Sequence, residues 1–444
     1  MAAIHFEARA IHVDSAFQIF KWIHLDPVLV EAHRYSAVIP QLCVKAAMLC
    51  GLELRTLLLV ASLAHVAVPY SIFLIAAYVC RTPWIAVGSA LAAVLCTRLT
   101  FYGIVLEANY LLCYPFLLAA IIHGPFQRTG SIRSLVAVLS ALLLVLTVHP
   151  VGFLIAMFVF ALGFVRTSER KFALATFFFL SFGWGLFSRM LLPPSGYETA
   201  LYTSAFAGLS ELSTLTTSAS FDFLLGHTWR DTALYLPLWL LSMGLVVMLV
   251  RWKEWAVLSI FLVGFLGYTV VNVITYRAGE DAVMMEKNFV PLATLVALPL
   301  ALMVERFTMR AQLIAFVLFV VVGFLQFRSI SFASRPAKER LAHIRAVVQR
   351  TQSLGLHKVA ISAAELDSDG LHIHWALAFE TLLVSAVQGP SRSVTVMAIA
   401  ADGPQPPATG VYLMPLEYSA PVDRLDKRYF RSLSGSYTLL SLPQ

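Results

Sequence analysis

Charged residues are scarce in this sequence. Asp, Glu, Lys and Arg make up 13% of its 444 residues, about half their usual share in a soluble domain. With 59% of residues hydrophobic, such a chain cannot bury all its apolar surface in water, which argues against a soluble enzyme or binding module. Cysteine is also rare. The five present, Cys43, Cys50, Cys80, Cys96 and Cys113, form no CxxC pair and none falls in the C-terminal part, so neither a disulfide framework nor a cysteine zinc site is indicated. No Walker loop, GxSxG elbow or GxGxxG turn stands where it would carry chemistry. The formal charge is +7, but the basic excess sits in short loops between apolar runs and in the C-terminal part. No nucleic-acid partner is inferred.

What the chain has is long uncharged runs. A membrane span needs about 20 mostly apolar residues to cross ~30 Å of hydrocarbon, fewer where it lines a cavity. Ten runs suit that role, at roughly 57–80, 82–97, 107–123, 134–148, 151–165, 172–192, 233–250, 255–276, 288–304 and 311–328. The stretch from Ser134 to Val165 carries no charge and is broken by His149 and Pro150. It predicts a hairpin of two short helices, with Pro150 in the first turn of the second, where its missing N–H costs nothing. Arms of about 15 residues reach only ~22 Å, so the tip stays below the far surface and His149 faces a cavity.

Orientation follows from the basic residues of the loops, which are held on the cytoplasmic side. Arg81, Arg128, Arg133, Arg166, Arg170, Lys171, Arg251, Lys253, Arg306 and Arg310 fall in alternate connections. The opposite connections are poorer in bases and hold Glu107, Glu198, Glu211, Asp222, Asp231, Glu280, Asp281 and Glu286. The expected topology is therefore multi-pass in the cell (inner) membrane, with residues 1–56, the loops at 193–232 and 277–287, and a domain at 329–444 on the exterior side. The transmembrane domain spans 57–328. An exterior tail with five bases and five acids has no translocation signal before it, so the expectation is a native start upstream of Met1.

The fold class expected is an all-α polytopic membrane domain of about ten transmembrane helices, followed by a small α/β extracytoplasmic domain. In that domain Leu341, Ile344, Val347 and Val348 mark one face of a helix over 335–352. Strands are expected at 358–362, 393–399, 411–415 and 437–442, with a helix at 372–387. His372 and His374 are two apart and read as solvated histidines, not as metal ligands.

Function is sought on the exterior face. Asp14 or Ser15 suits an N-cap, and Phe17, Ile19, Phe20, Trp22 and Ile23 follow as an apolar, aromatic helix fit for the membrane interface, with Lys21 at headgroup level. An acidic residue opening the first exterior segment, then an interfacial helix, many short spans and an exported C-terminal domain resembles the GT-C superfamily of membrane glycosyltransferases. There the acid is usually doubled, whereas Asp14-Ser15 supplies one. The resemblance implies a GT-C-like fold, a polyprenyl-phosphate-linked sugar as donor, and a glycan, lipid or protein acceptor at the bilayer surface.

The chemistry gives an independent reason for such a carboxylate. Sugar transfer needs a base for the acceptor hydroxyl and positive charge for the phosphate leaving group. Asp14 is the catalytic candidate, and a carboxylate there also suits a divalent metal shared with the phosphate; no further cofactor is expected. Substrate-binding candidates are Arg34 in the polar run Glu31–Ser36, Glu107 between the second and third spans, His149, and Arg277 and Lys287 in a late exterior loop that resembles the superfamily's lipid-phosphate-binding loop. Each has a plainer role. The plainer role of Asp14 is that of a cap, of Arg34 a surface residue, of Glu107 a partner of Arg98, and of Arg277 and Lys287 interfacial anchors. Two further classes remain open: a polymerase or ligase of lipid-linked polysaccharide, for which the long Ser/Thr-rich loop at 192–230 would be the centre, and a transporter. Against the transporter, no inverted pair of broken helices is apparent.

Overall fold

All ten apolar runs are helical in the computed structural model, which describes residues 1–25, 28–167, 170–210, 212–230, 233–399, 425–431, 433 and 435–441, without the side chains of Arg189, Tyr197 and Leu212. Helices α1 (Phe6–Ala10), α2 (Asp14–His24) and α3 (Ile39–Leu49) form the N-terminal segment. The bundle follows as α4 (Leu54–Leu74), α5 (Pro83–Val94), α6 (Tyr114–Ile121), α7 (Gln127–Thr129), α8 (Ile132–Leu146), α9 (Gly152–Arg166), α10 (Lys171–Leu191), α11 (Gly196–Leu209), α12 (Ala219–Trp229), α13 (Leu236–Arg251), α14 (Trp255–Thr275), α15 (Ala282–Phe289), α16 (Pro291–Val304) and α17 (Met309–Phe332).

Among the described residues six helical stretches are long and apolar enough to cross a membrane: Leu54–Val79, Glu107–Thr129, Lys171–Ser188, Trp255–Thr275, Ala282–Val304 and Met309–Ser353. The other four runs are α5, α8, α9 and α13, of 12, 15, 15 and 16 residues. At 1.5 Å per residue they reach roughly 18–24 Å, less than a full hydrocarbon slab. The outer surface fits a membrane protein. Phe179 and Phe187 on α10, Val263 on α14 and Val317 and Phe324 on α17 are all more than half exposed, and apolar surface of this extent does not persist in water.

At the centre lies α16, in which every residue from Pro291 to Val304 is buried. Close packing against it requires a glycine on α5, because a Cβ at Gly88 would meet the Ala301 side chain at 2.8 Å. The polar connections gather at two ends. At one, Arg128 donates to the Cys80 carbonyl at 2.5 Å, while Arg166 and Arg306 both pair with Glu254. At the other, Arg34 pairs with Glu107 and Arg98 with Glu286.

The C-terminal part runs α18 (Ser334–Ser353), β1 (Lys358–Ser362), α19 (Ala363–Ser368), α20 (Leu377–Ala386), β2 (Thr395–Ile399) and β3 (Thr438–Leu439). The sheet is parallel throughout, in the order β2-β1-β3, with Ala360 opposite Met397 on one side and Leu439 on the other. The amphipathic helix is present, with Leu341, Ile344, Val347 and Val348 buried. The strand expected at 411–415 lies outside the described residues.

Several expectations need correction. The aromatic face of α2 is covered by protein: Phe17 and Phe20 lie 4.9 and 5.2 Å from the Phe379 ring, and Phe20 lies 5.7 Å from Phe430. Buried apolar residues between Ala8 and Ala61 share one hydrophobic core with the C-terminal part. An aromatic face that suits an interface suits a domain contact equally well. Asp14 is not a cap, because α2 begins on it and no side chain caps the helix from Val13. Pro150 precedes α9, whose first residue is Gly152. The long loop at 192–230 is largely helical, as α11, a tight turn at Leu212–Thr217, and α12.

Candidate functional site

Strained backbone directly precedes two of the candidate charges, Asp14 and Arg34. Non-glycine residues with positive φ are uncommon, and for a β-branched residue such a conformation is an outlier. Eight occur among the described residues; Val13 (φ 36°) directly precedes Asp14, and Ala32 (φ 45°) and His33 (φ 59°) directly precede Arg34. Cys96 (φ 62°) leads into the turn that carries Arg98. Strain of this kind persists only where the surroundings over-determine it, and it clusters at functional sites.

Arg34 stands at the middle of the polar end. Its Nη1 lies 2.7 Å from Glu107 Oε1 and its Nη2 lies 3.9 Å from Glu198 Oε1. Two clefts flank it. One is lined by His33, Arg34, Thr147, His149, Trp184, Ser188 and Glu198 among others; the second includes Gln18, Trp22, Glu31, Arg34, His65, Glu107 and Tyr110. The first lies beside α10, whose Phe187, Met190 and Leu191 are exposed. The hairpin tip is held there by the N-terminal segment, through Ser36 Oγ and Thr147 Oγ1 at 2.6 Å.

Asp14 sits one helical turn before Gln18 and two before Trp22, which line the second cleft while Asp14 itself does not. Burial raises its carboxyl pKa from 3.8 to about 6, which Lys287 and Arg34 partly counter and Glu107 and Asp281 reinforce. The charges acting on Lys287 are Glu107, Arg34, Asp14 and Glu280. Asp14, Arg34, Glu107 and Lys287 therefore form one electrostatic cluster, drawn from the N-terminal segment, the 98–107 turn and α15. The neighbouring His12 is held below its usual pKa by burial, against the opposing pull of Glu380.

Lys287 is delivered by a well-anchored helix. Asp281 caps α15, accepting from the N–H groups of Val283 and Met284, both at 3.0 Å. Glu286, with no exposed side-chain surface, accepts from the N–H groups of Arg98 (2.6 Å) and Thr100 (2.9 Å), from Thr100 Oγ1 (2.8 Å) and from Arg98 Nε (3.4 Å). That carboxylate fastens the 98–100 turn to α15. The plainer pairing of Glu107 with Arg98 gives way accordingly, since each residue has a different partner.

Of the candidates from sequence, Arg34 and Glu107 pair and line the second cleft, Arg34 and His149 line the first, and Asp14 and Lys287, which line neither, are coupled to Arg34 and Glu107 electrostatically. Arg277 lines neither cleft; its carbonyl accepts from the Ala219 N–H at 3.1 Å. Sequence reasoning did not single out Glu198, Trp184, Gln18 or Tyr110 as site residues. For Glu198 a signal existed: Ser195-x-x-Glu198 is a capping box, realised with Ser195 Oγ 3.3 Å from the Glu198 N–H and Glu198 Oε2 3.2 Å from the Ser195 N–H. Among the described residues no three His, Cys, Asp or Glu side chains converge to hold a metal ion. The chain matches no protein-family model, no curated protein and no solved structure.

Proposed function

We propose that the protein is a multi-pass membrane glycosyltransferase that takes a sugar from a polyprenyl-phosphate donor and gives it to an acceptor hydroxyl at the polar end of the bundle. The observation that carries this reading is the cluster itself. A carboxylate with a pKa raised to about 6 is coupled electrostatically to two cations, Arg34 and Lys287, and Arg34 lines both clefts, the first of which is flanked by the exposed apolar surface of α10. A base near its working pH and fixed cations opposite it are what transfer from a phosphate requires.

In this reading the phosphate of the donor enters from the α10 side and meets Arg34 and Lys287, while His149 and Ser188 line its path. Asp14 takes the proton of the acceptor hydroxyl. The hydroxyl oxygen bonds to the anomeric carbon, the bond from that carbon to the phosphate oxygen breaks, and the polyprenyl phosphate leaves with its new charge held by the two cations. Glu107 keeps Arg34 aimed. The ten helical runs are read as ten passes of a GT-C-like plan, which the segregation of ion pairs into two ends supports. Both clefts lie at one end, which favours a one-sided enzyme over a transporter.

The test is transfer from a radiolabelled short-chain polyprenyl-phosphate sugar by the purified protein in nanodiscs, with a panel of lipid, glycan and peptide acceptors. Transfer that is lost in Asp14→Asn supports the reading. Normal transfer by that variant, or substrate movement across the bilayer without transfer, sinks it. A lipid-linked glycan as the preferred acceptor would make the enzyme a ligase of the same chemistry.

A further inference from the structure

We propose that Glu380, on helix α20 of the C-terminal part, is a positioning residue for Asp14 and acts through the backbone of Val13. This rests on Asp14 being the base proposed above. Val13 joins α1 to α2 with φ 36° and ψ −107°, a conformation that valine adopts only when held. What holds it is a side chain 367 positions later: the Val13 N–H donates to Glu380 Oε1 at 2.9 Å.

Glu380 is itself fixed. Its side chain has no exposed surface, Arg340 donates to it from Nε at 2.9 Å and from Nη2 at 2.6 Å, and the same Nη2 reaches the Ile373 carbonyl at 2.7 Å. The carboxylate is thus aimed at Val13 by a planar, two-pronged partner, the geometry in which a guanidinium is most directional. On the other side of the contact, Phe17 and Phe20 of α2 pack on Phe379, the residue before Glu380. Asp14 follows Val13 immediately, so the turn that Glu380 closes sets where the Asp14 carboxylate points. The C-terminal part then serves as the frame that presents the base to Arg34, Glu107, Asp281 and Lys287.

Labelling of Asp14 by a hydrophobic carbodiimide, which modifies protonated carboxyls, tests this in the full-length protein by peptide mass spectrometry from pH 4 to 8. In the unaltered protein half-maximal labelling is expected near pH 6. Glu380→Gln keeps an acceptor for the Val13 N–H and should keep that midpoint, whereas Glu380→Ala should lower it by a pH unit or more, with labelling at pH 6 down roughly five-fold or more. Glu380 is not among the charges that act on Asp14, so loss of charge alone does not mimic the effect. A folded Glu380→Ala protein with the original midpoint overturns the proposal. Where Glu380→Ala does not fold, Val13→Gly is added, because glycine takes positive φ freely. Restored folding with a lowered midpoint supports the proposal; failure to fold, or an unchanged midpoint, assigns Glu380 to stability alone and overturns it. The labelling readout needs no sugar transfer, so its outcome stands apart from the fate of the glycosyltransferase reading.

Discussion

Arg34 and Glu107, 73 residues apart, meet at 2.7 Å in a nearly buried ion pair, and that contact joins the N-terminal segment to the mouth of the bundle. In the proposed reaction Arg34 binds the donor phosphate and Glu107 sets its direction. A charge-assisted hydrogen bond is worth about 1.5–3 kcal/mol, so Arg34→Ala should weaken donor binding roughly 10- to 150-fold, and Arg34→Lys should restore only part of it because a two-pronged contact is lost. Titration with a non-transferable polyprenyl-phosphate analogue measures this. Equal affinity in all three proteins removes Arg34 from the site.

Glu286→Ala should be among the most disruptive single changes at this end. The carboxylate serves four donors in a site without solvent, and removing one member of such a buried pair costs about 3–5 kcal/mol. Glu286→Gln, which keeps an acceptor for the Arg98 and Thr100 N–H groups, should lose less. Thermal unfolding in detergent compares them, and equal midpoints for both variants and the original would refute the anchoring role.

How much of this was legible beforehand depends on the range of the interaction. Helical runs declare themselves by composition, so α4, α10, α14 and α17 emerge within a few residues of their expected bounds, as do α18 with its stripe Leu341–Val348 and strand β1. Asp14, Arg34, Glu107 and Lys287 could be picked as charges in the connections of an apolar chain. Their convergence was not legible, because it depends on packing between elements far apart in sequence, 73 positions for Arg34 and Glu107 and 273 for Asp14 and Lys287. The Glu380–Val13 contact left no local trace at all. The misread cap has the same origin: Asp followed by a helical run is the usual N-cap pattern, and only the tertiary hold on Val13 moves the helix start onto Asp14.

The C-terminal part should lie outside the cytoplasm, on the same side as the cluster, because the basic connections at Arg128, Arg166 and Arg306 gather at the opposite end. Fusion of alkaline phosphatase to the C-terminus should give active enzyme, and a fluorescent protein that matures only in the cytoplasm should stay dark. The reverse result would put the proposed site on the wrong face for an exported acceptor.

Asp14→Asn separates catalysis from folding by moving them in opposite directions. The helix gains no cap from Asp14, so the substitution removes no structural hydrogen bond there, while loss of a positioned base lowers transfer by roughly 10²- to 10⁴-fold. Because burial raises the folded-state pKa from 3.8 to about 6, the native protein binds this proton more tightly than the unfolded chain does. Stability therefore falls as pH rises from about 3.8 to 6 and stays lower above that, whereas below 3.8 the effect vanishes. Asp14→Asn cannot ionise and escapes the loss, so it should be more stable than the original protein by at least about 1 kcal/mol at pH 7 and equal to it near pH 4. Transfer by the original protein should run the other way, rising through pH 6 as the carboxylate forms and levelling off above pH 7. Paired measurements of unfolding midpoint and transfer rate across pH 4 to 8 check both signs together. A variant that loses stability at pH 7, or an original protein whose transfer is flat through pH 6, would leave Asp14 without the role of base.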